Sequence, residues 1–190
     1  MSPKRELLPR TNDRLPVKDY AERDDVRKRV DALGLTLAGE TLTEKAARDN
    51  VVVLAPGVHT LPSVATPGLL VEGFGRALVK SGVLVGSADV VFDGIHFAGV
   101  DSPIVTVAAA ARVVFRSCVF ERTDARLSAA DNYVSVFAGG LAIFVGCVFR
   151  GAQTAGVIVT NAGGAANVGI VGCSNRTGRA HNNVTTIFEV

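Results

Sequence analysis

The chain has 190 residues, of which 48% are apolar, and its mean hydropathy is positive, so it can bury a core of its own. Its net charge of +2 is too small to indicate nucleic-acid binding by bulk electrostatics. No run of 18 uninterrupted apolar residues is present, which argues against a membrane-spanning helix. The first residues lack the apolar segment of a secretory signal, and we expect a protein made in the cytoplasm.

Charged residues are concentrated at the N-terminus. Residues 1–50 contain 11 Lys/Arg and 10 Asp/Glu, whereas residues 51–190 contain 9 and 8. The change in charge density predicts two parts, a charged N-terminal arm over residues 1–49 and a body over residues 50–190.

The arm has weak structural signals of its own. Three prolines among charged residues favour extended chain up to residue 16. A thin apolar stripe predicts a helix from Asp19 to Leu33, and a second short helix from Thr41 or Thr43 to Arg48. A helix with so few apolar residues must dock on something. Two interpretations stay open: a cap over one end of the body, or an arm that reaches a neighbouring subunit or a particle surface.

The body repeats the pattern apolar-apolar-x-small-apolar-x-apolar. Four segments align without gaps, and a weaker copy precedes them: Leu70–Arg76, Val91–Phe97, Val114–Phe120, Ile143–Phe149 and Gly169–Asn175. Equivalent positions lie 21, 23, 29 and 26 residues apart. Such spacing is typical of a β-solenoid, in which each coil contributes two or three short strands and the loops vary in length.

Stacking of these copies predicts columns of like side chains, because parallel strands lie about 4.8 Å apart. The predicted inward columns are Phe92, Phe115 and Phe144; Phe97, Phe120 and Phe149; and Phe74, Ile95, Cys118, Cys147 and Cys173. The small residue of each copy marks a tight bend between two strands, at Gly94, Ser117, Gly146 and Gly172. A second series of β-branched strands is predicted after each copy: Ala77–Lys80, Pro103–Val107, Val134–Phe137, Gly156–Thr160 and Thr185–Phe188.

The body resembles the pectate-lyase-like right-handed parallel β-helix superfamily. Val51–Leu61, a strand that enters a Pro-Gly turn and continues as another strand, is similar to the first coil of that group, and Val90–Phe97 is similar to its repeating coil. The resemblance covers roughly residues 50–190. It implies an all-β fold, a short right-handed single-stranded parallel β-helix of about five or six coils, preceded by the small helical or extended arm. The superfamily includes polysaccharide lyases and hydrolases as well as phage tailspikes and other virion proteins.

Carboxylates on adjacent coils are the feature that a polysaccharide-cleaving enzyme requires. The body offers Glu72, Asp89, Asp93, Asp101, Glu121, Asp124, Asp131 and Glu189. Glu72 and Asp93 occupy equivalent positions of neighbouring copies, and Arg116 and then Val145 follow in that column. A surface ion pair between Asp93 and Arg116 is the favoured interpretation, and a catalytic pair is the alternative.

The other reactive residue types have structural explanations. His59, His96 and His181 have no ligand spacing, and we expect His96 to point outward into solvent. Cys118, Cys147 and Cys173 share a column with Ile95 and are expected to be core residues. The glycine pairs at 139–140 and 163–164 predict turns, and the Asn-x-Thr sequences at 175 and 183 are attributed to chance. We therefore assign no catalytic, cofactor-binding or metal-binding residue and expect no cofactor.

The outer face of the strands predicts assembly. Val91, Val114 and Ile143 fall at outward positions and form an apolar stripe, which is typical of an interface, and the run Ala108–Ala111 would let another backbone approach closely. The superfamily resemblance implies a homotrimer. The preferred hypothesis is a non-enzymatic protein of a phage or phage-like particle that decorates or stabilises the capsid, as a cement protein or head-spike base, or the tail. Its partners would be itself and the major capsid protein or other virion proteins, without nucleic acid or membrane. A carbohydrate-active or glycan-binding tailspike-like protein, with a host surface glycan as partner, is the alternative.

Overall fold

The computed structural model describes residues 35–36, 51–61, 63–74, 77–80, 82–86, 89–100, 103–123, 132–151, 157–164, 167–182 and 184–189. Both helices predicted in the arm lie outside the described residues. Within the described ranges, no helix is long and apolar enough to cross a lipid bilayer.

The described residues form β-strands and turns, without an α-helix. The strands are β1 (Leu35–Thr36), β2 (Val51–Leu54), β3 (Gly57–His59), β4 (Ser63–Val64), β5 (Leu70–Gly73), β6 (Ala77–Lys80), β7 (Val83–Val85), β8 (Val90–Asp93), β9 (His96–Gly99), β10 (Val105–Val107), β11 (Arg112–Arg116), β12 (Val119–Arg122), β13 (Val134–Val136), β14 (Leu141–Val145), β15 (Val148–Gly151), β16 (Val159–Asn161), β17 (Val168–Asn175) and β18 (Thr185–Glu189). The expectation of an all-β body is confirmed.

The strands pair side by side in three parallel ladders. The first ladder has the order β1-β2-β5-β8-β11-β14-β17, with β18 also paired to β17; the second has the order β3-β6-β9-β12-β15-β17. The third has the order β4-β7-β10-β13-β16. The long strand β17 belongs to both the first and the second ladder. From β2 to β16 the chain adds one strand to the first, one to the second and one to the third ladder, and then repeats this order. We call each such set of three consecutive strands a rung.

A sharp bend lies between the first-ladder and the second-ladder part of the last four copies of the repeat. The predicted bend residues Gly94, Ser117, Gly146 and Gly172 all have left-handed backbone conformations, with φ of 65°, 50°, 61° and 60°. This conformation reverses the in-and-out alternation locally, so that side chains on both sides of the bend point inward. Glycine adopts it without steric cost, whereas Ser117 carries a Cβ that strains it. The prediction of bends at these positions is confirmed.

Six phenylalanines form the predicted aromatic columns in the core. Neighbouring rings within each column are stacked, with ring centroids 5.0–5.5 Å apart, and the two columns meet edge to face or tilted across the bend. All six side chains are fully buried: Phe92, Phe115 and Phe144 in the first ladder, and Phe97, Phe120 and Phe149 in the second. The register of the three central copies is therefore as the sequence pattern predicts.

The prediction that Phe74 fills the inward slot of Ile95 is wrong, since Phe74 is 66% exposed. Glu72 pairs with Asp93 and Leu78 pairs with His96, so the chain between these pairs is three residues longer in the earlier copy. Ala77, which directly precedes Leu78, is buried at the level of Ile95 instead. The extra residues displace the phenylalanine from the core to the surface.

The third ladder corrects the predicted second strand series. Three predicted strands do belong to it, as β10, β13 and β16, but Ala77–Lys80 is a second-ladder strand and Thr185–Glu189 pairs in the first ladder. The sequence pattern also missed β4 and β7. These strands are only two and three residues long, and a run so short has no recognisable alternation.

A close backbone approach does occur at the alanine run, but within the chain. Ala108–Ala111 forms a turn, and the following rung places Gly139 and Gly140 directly against it. A Cβ on Gly140 would lie 2.7 Å from the carbonyl oxygen of Ala108, and one on Gly139 would lie 2.8 Å from that of Ala109. The glycine pair is thus a turn, as predicted, and its lack of side chains permits the two turns to stack.

Candidate functional site: the outer face of the first ladder

The outer face of the first ladder combines an apolar centre with charged flanks. Outward side chains are half-buried or exposed, and they alternate with fully buried ones along every strand. The central column is apolar on six successive rungs: Val51, Leu70, Val91, Val114, Ile143 and Gly169. The predicted outward apolar stripe is therefore confirmed, and it extends beyond the three residues that were named. We call this surface the first-ladder outer face.

Two neighbouring rungs of this face carry opposite charges. On β8 and the residue before it, Asp89 and Asp93 flank Val91; on β11, Arg112 and Arg116 flank the next apolar residue. The Asp93 and Arg116 side chains approach to 3.1 Å, and those of Asp89 and Arg112 to 3.7 Å. The face thus contains an acidic rung beside a basic rung, and the favoured interpretation of an Asp93–Arg116 surface pair is confirmed.

Glu72 and Asp93 also line an open groove of about 330 Å³ together with Val53, Gly73, Phe74 and Gly94. The two carboxylates lie on adjacent strands in direct register, as predicted. Asp93 is engaged by Arg116, whereas Glu72 is exposed and has no ion-pair partner in the part of the chain that the structure describes. The groove therefore has one carboxylate that is unpaired among the described residues and one that is neutralised, next to an exposed phenyl ring.

A second charged cluster lies on the outer face of the second ladder. The Glu121 carboxylate contacts His96 Nε2 at 2.7 Å and accepts a hydrogen bond from Arg150 at 2.9 Å. Partial burial opposes ionisation, but the Arg150 guanidinium and the His96 imidazole outweigh it and hold the pKa of Glu121 below its ordinary value. The expectation that His96 is simply solvated is wrong, because its side chain is half-buried and paired. The cluster fastens three consecutive rungs together.

The three cysteines form a buried column, as expected of core residues. Cys118, Cys147 and Cys173 are free thiols, and none is more than 1% exposed. Each thiol donates a weak hydrogen bond to a backbone carbonyl of the preceding rung, at 3.4–3.6 Å. The adjacent Cys118 thiol and burial raise the pKa of Cys147 to about 12, and the Cys147 thiol and burial also raise the pKa of Cys173. Thiols held neutral in this way are poor nucleophiles.

The sequence interpretation missed two buried residues with ionisable side chains. His59 is fully buried in the inward column that continues through Val79, and its Nε2 donates to the Ala55 carbonyl at 2.8 Å. Arg122 is 1% exposed, and its guanidinium donates to the carbonyls of Val100 and Asn132 at 2.8 and 3.1 Å. The residues paired with Arg122 on both sides are glycines, and a Cβ on Gly151 would clash with the Arg122 backbone.

The remaining candidates are divided between described and undescribed residues. Asp101, Asp124 and Asp131 lie outside the described residues, and so does the side chain of Glu189. The Asn175 side chain is hydrogen-bonded within the chain. Its amide nitrogen donates to the Arg179 carbonyl at 2.8 Å, and its oxygen accepts from the Thr177 backbone N–H. Across the described ranges, no group of three or more His, Cys, Asp or Glu side chains is arranged to hold a metal ion.

Comparisons with known proteins found no similar protein. No family model matches the chain, and no curated protein or solved structure matches it either. The chemistry of the outer faces and the order of the strands are therefore the basis for a functional proposal.

Proposed function

We propose that this protein is a short right-handed parallel β-helix that serves as a non-enzymatic structural component of a phage or phage-like particle. The cyclic order of the strands through three parallel ladders supports a helical winding, because each rung is one turn further along the same three ladders. Right-handedness follows the strong general preference of crossovers between parallel strands of one sheet.

The observation that carries the structural role is the first-ladder outer face. Its central column is apolar on six successive rungs, and Val51 and Val145 on this face are 47% and 40% exposed. A contiguous apolar surface of this kind favours contact with another protein. A homotrimer that decorates or stabilises the capsid, as cement protein or head-spike base, or that belongs to the tail, is the assembly implied by the superfamily resemblance.

The proposal has two direct tests. Sedimentation velocity of the purified chain should detect self-association, and mass spectrometry of particles purified from the source organism should find the chain at a fixed ratio to the major capsid protein. A protein that stays monomeric at millimolar concentration, or that is absent from purified particles, would contradict the proposal.

A second candidate function is glycan binding or cleavage, favoured by the groove that contains Glu72, Asp93 and the exposed Phe74. Paired carboxylates are the usual catalytic groups of glycoside hydrolysis, and an exposed phenyl ring offers a surface on which a sugar ring packs. Against catalysis, Arg116 neutralises Asp93 at 3.1 Å. A panel of bacterial surface polysaccharides should be incubated with the wild type and with Asp93→Asn. Cleavage by the wild type that the variant loses would favour the enzyme, whereas intact polysaccharides would exclude it.

A further inference from the structure

We propose that the first-ladder outer face pairs with the same face of a second copy of this chain in an antiparallel, two-fold arrangement. This inference rests on the self-assembly proposed above, but it replaces the homotrimer that the superfamily resemblance implies with a two-fold dimer, because of the order of the charges on this face.

The charge order along the stack decides the orientation. The acidic rung of Asp89 and Asp93 is followed directly by the basic rung of Arg112 and Arg116. If two copies lie face to face with the same stacking direction, the acidic rung meets the acidic rung of the other copy, and the basic rung meets the basic one. Opposed like charges are destabilising. Rotation about an axis that runs along the stack, including a three-fold axis, retains this conflict for the face.

Reversal of one copy removes the conflict. A two-fold axis parallel to the strands, midway between β8 and β11, places each Asp93 against Arg116 of the second copy and each Asp89 against its Arg112. The same operation places Val91 against Val114. Each carboxylate would then lie between the arginine of its own chain and that of the second copy, in an alternating network rather than an isolated pair.

The outer rungs fit the same operation in the central column, whereas Glu72 in the flanking column lies opposite Val145 of the other copy. Leu70 and Ile143 lie three rung spacings apart, with the axis midway between them. The axis therefore brings Leu70 of one copy opposite Ile143 of the other. At the ends of the face, Val51 and Val53 lie opposite Gly169 and Val171 of the other copy. Apolar residues therefore meet apolar residues at every rung of the central column, and the charges stay at its flanks, as in ordinary protein interfaces.

The size of the face sets the expected affinity. Six rungs at about 4.8 Å spacing and a width of about 13 Å give on the order of 300–400 Å² per copy. This is about half of the roughly 800 Å² per partner in a standard interface. We therefore expect a weak, concentration-dependent dimer in free solution, with a dissociation constant on the order of 10–100 μM.

The charge order is tested by reversal and rescue. Arg112→Glu with Arg116→Glu makes both rungs acidic and should weaken self-association at least tenfold by sedimentation equilibrium. Adding Asp89→Arg and Asp93→Arg restores alternation in the opposite sense and should recover wild-type affinity within about threefold. Lys80→Glu, an exposed change on the second ladder, is the matched control and should leave association unchanged. Equal association of the all-acidic variant and the wild type would overturn the proposal.

The antiparallel orientation is tested by cross-linking. Leu70→Cys and Ile143→Cys are prepared separately and treated with a short bifunctional thiol reagent that spans the roughly 10 Å between packed sheets. The native cysteines are buried and serve as an internal background. Cross-links should form when the two variants are mixed and not within either variant alone, because identical residues lie about 14 Å further apart along the stack.

The outcomes separate this inference from the proposed function. Cross-linking of Leu70→Cys to itself, or a trimer by light scattering, overturns the antiparallel dimer but leaves a self-assembling structural protein. A monomer at every concentration overturns both. Cross-links restricted to the mixture, together with rescue by the charge swap, support the dimer.

Discussion

The two faces of the first ladder differ in how strictly successive rungs repeat. The inward column through Phe115 holds phenylalanine on three successive rungs, whereas the outward column through Arg116, one residue further along the strand, changes from acid to base to valine. Inside, an unlike residue leaves a void or a clash with both neighbouring rungs, because the stack has a fixed spacing. Outside, solvent accommodates any side chain. The strict repeat of one residue type is thus a property of the core, whereas the outer face keeps the apolar character of its central column and varies in its flanking columns.

We expect the greatest loss of stability when one of the inward phenylalanine rings is truncated. Phe115 is stacked between Phe92 and Phe144 and touches the second column edge to face. We expect Phe115→Ala to lower the free energy of unfolding by about 3–5 kcal/mol, because a cavity is left in the middle of the aromatic stack. Val114→Ala, its outward neighbour, should cost less than about 1 kcal/mol. Urea unfolding followed by circular dichroism measures both, and similar losses would contradict the contrast.

The next prediction concerns the buried Arg122, whose charged side chain lies in a mostly apolar interior. Arg122→Met keeps much of the side-chain volume but removes the hydrogen bonds that the guanidinium donates to the Val100 and Asn132 carbonyls. We expect a loss of about 2–4 kcal/mol in the free energy of unfolding. Arg150→Met, an exposed arginine of the next rung that is paired with Glu121, should cost about 1 kcal/mol or less. An Arg122→Met protein as stable as the wild type would show that the buried guanidinium is dispensable.

The buried cysteines make the free energy of unfolding depend on pH. The pKa of Cys147 is raised to about 12 in the folded protein from an ordinary value of 9.0. The unfolded chain therefore loses this proton first, and stability is full below about pH 9 and declines between that pH and the folded pKa. We expect the unfolding free energy to fall by up to about 2 kcal/mol more between pH 8 and pH 10.5 in the wild type than in Cys147→Val. Parallel pH curves for the two proteins would contradict this.

The change in stability should be least at the bend between the first-ladder strand β11 and the second-ladder strand β12. Ser117 has a φ of 50°, whereas the equivalent positions on the other rungs are glycine. Ser117→Gly should raise the free energy of unfolding by about 0.5–1 kcal/mol, since relief of the left-handed strain exceeds the added flexibility of the unfolded chain. Gly146→Ala, the reverse change one rung further, should destabilise by a similar or larger amount. Thermal unfolding of both variants checks the sign, and stabilisation by Gly146→Ala would refute the strain argument.

The repeat pattern alone was enough to predict the register of the central rungs. Stacked parallel strands bring equivalent residues together, so a local pattern that recurs is enough to place Phe115, Cys147 and the Asp93–Arg116 pair in their columns. The bend positions followed from the same pattern, because only small residues fit a tight left-handed turn.

The departures from that repeat depend on how the rungs pack in three dimensions. The three extra residues that expose Phe74 alter no local signal, and the short third-ladder strands have too few residues for a pattern. The burial of His59 and Arg122 depends on neighbours in adjacent rungs, which are about 20 residues or more away in the chain. The local sequence shows which residues of one rung favour a strand, whereas the burial and pairing of side chains are set by contacts between rungs.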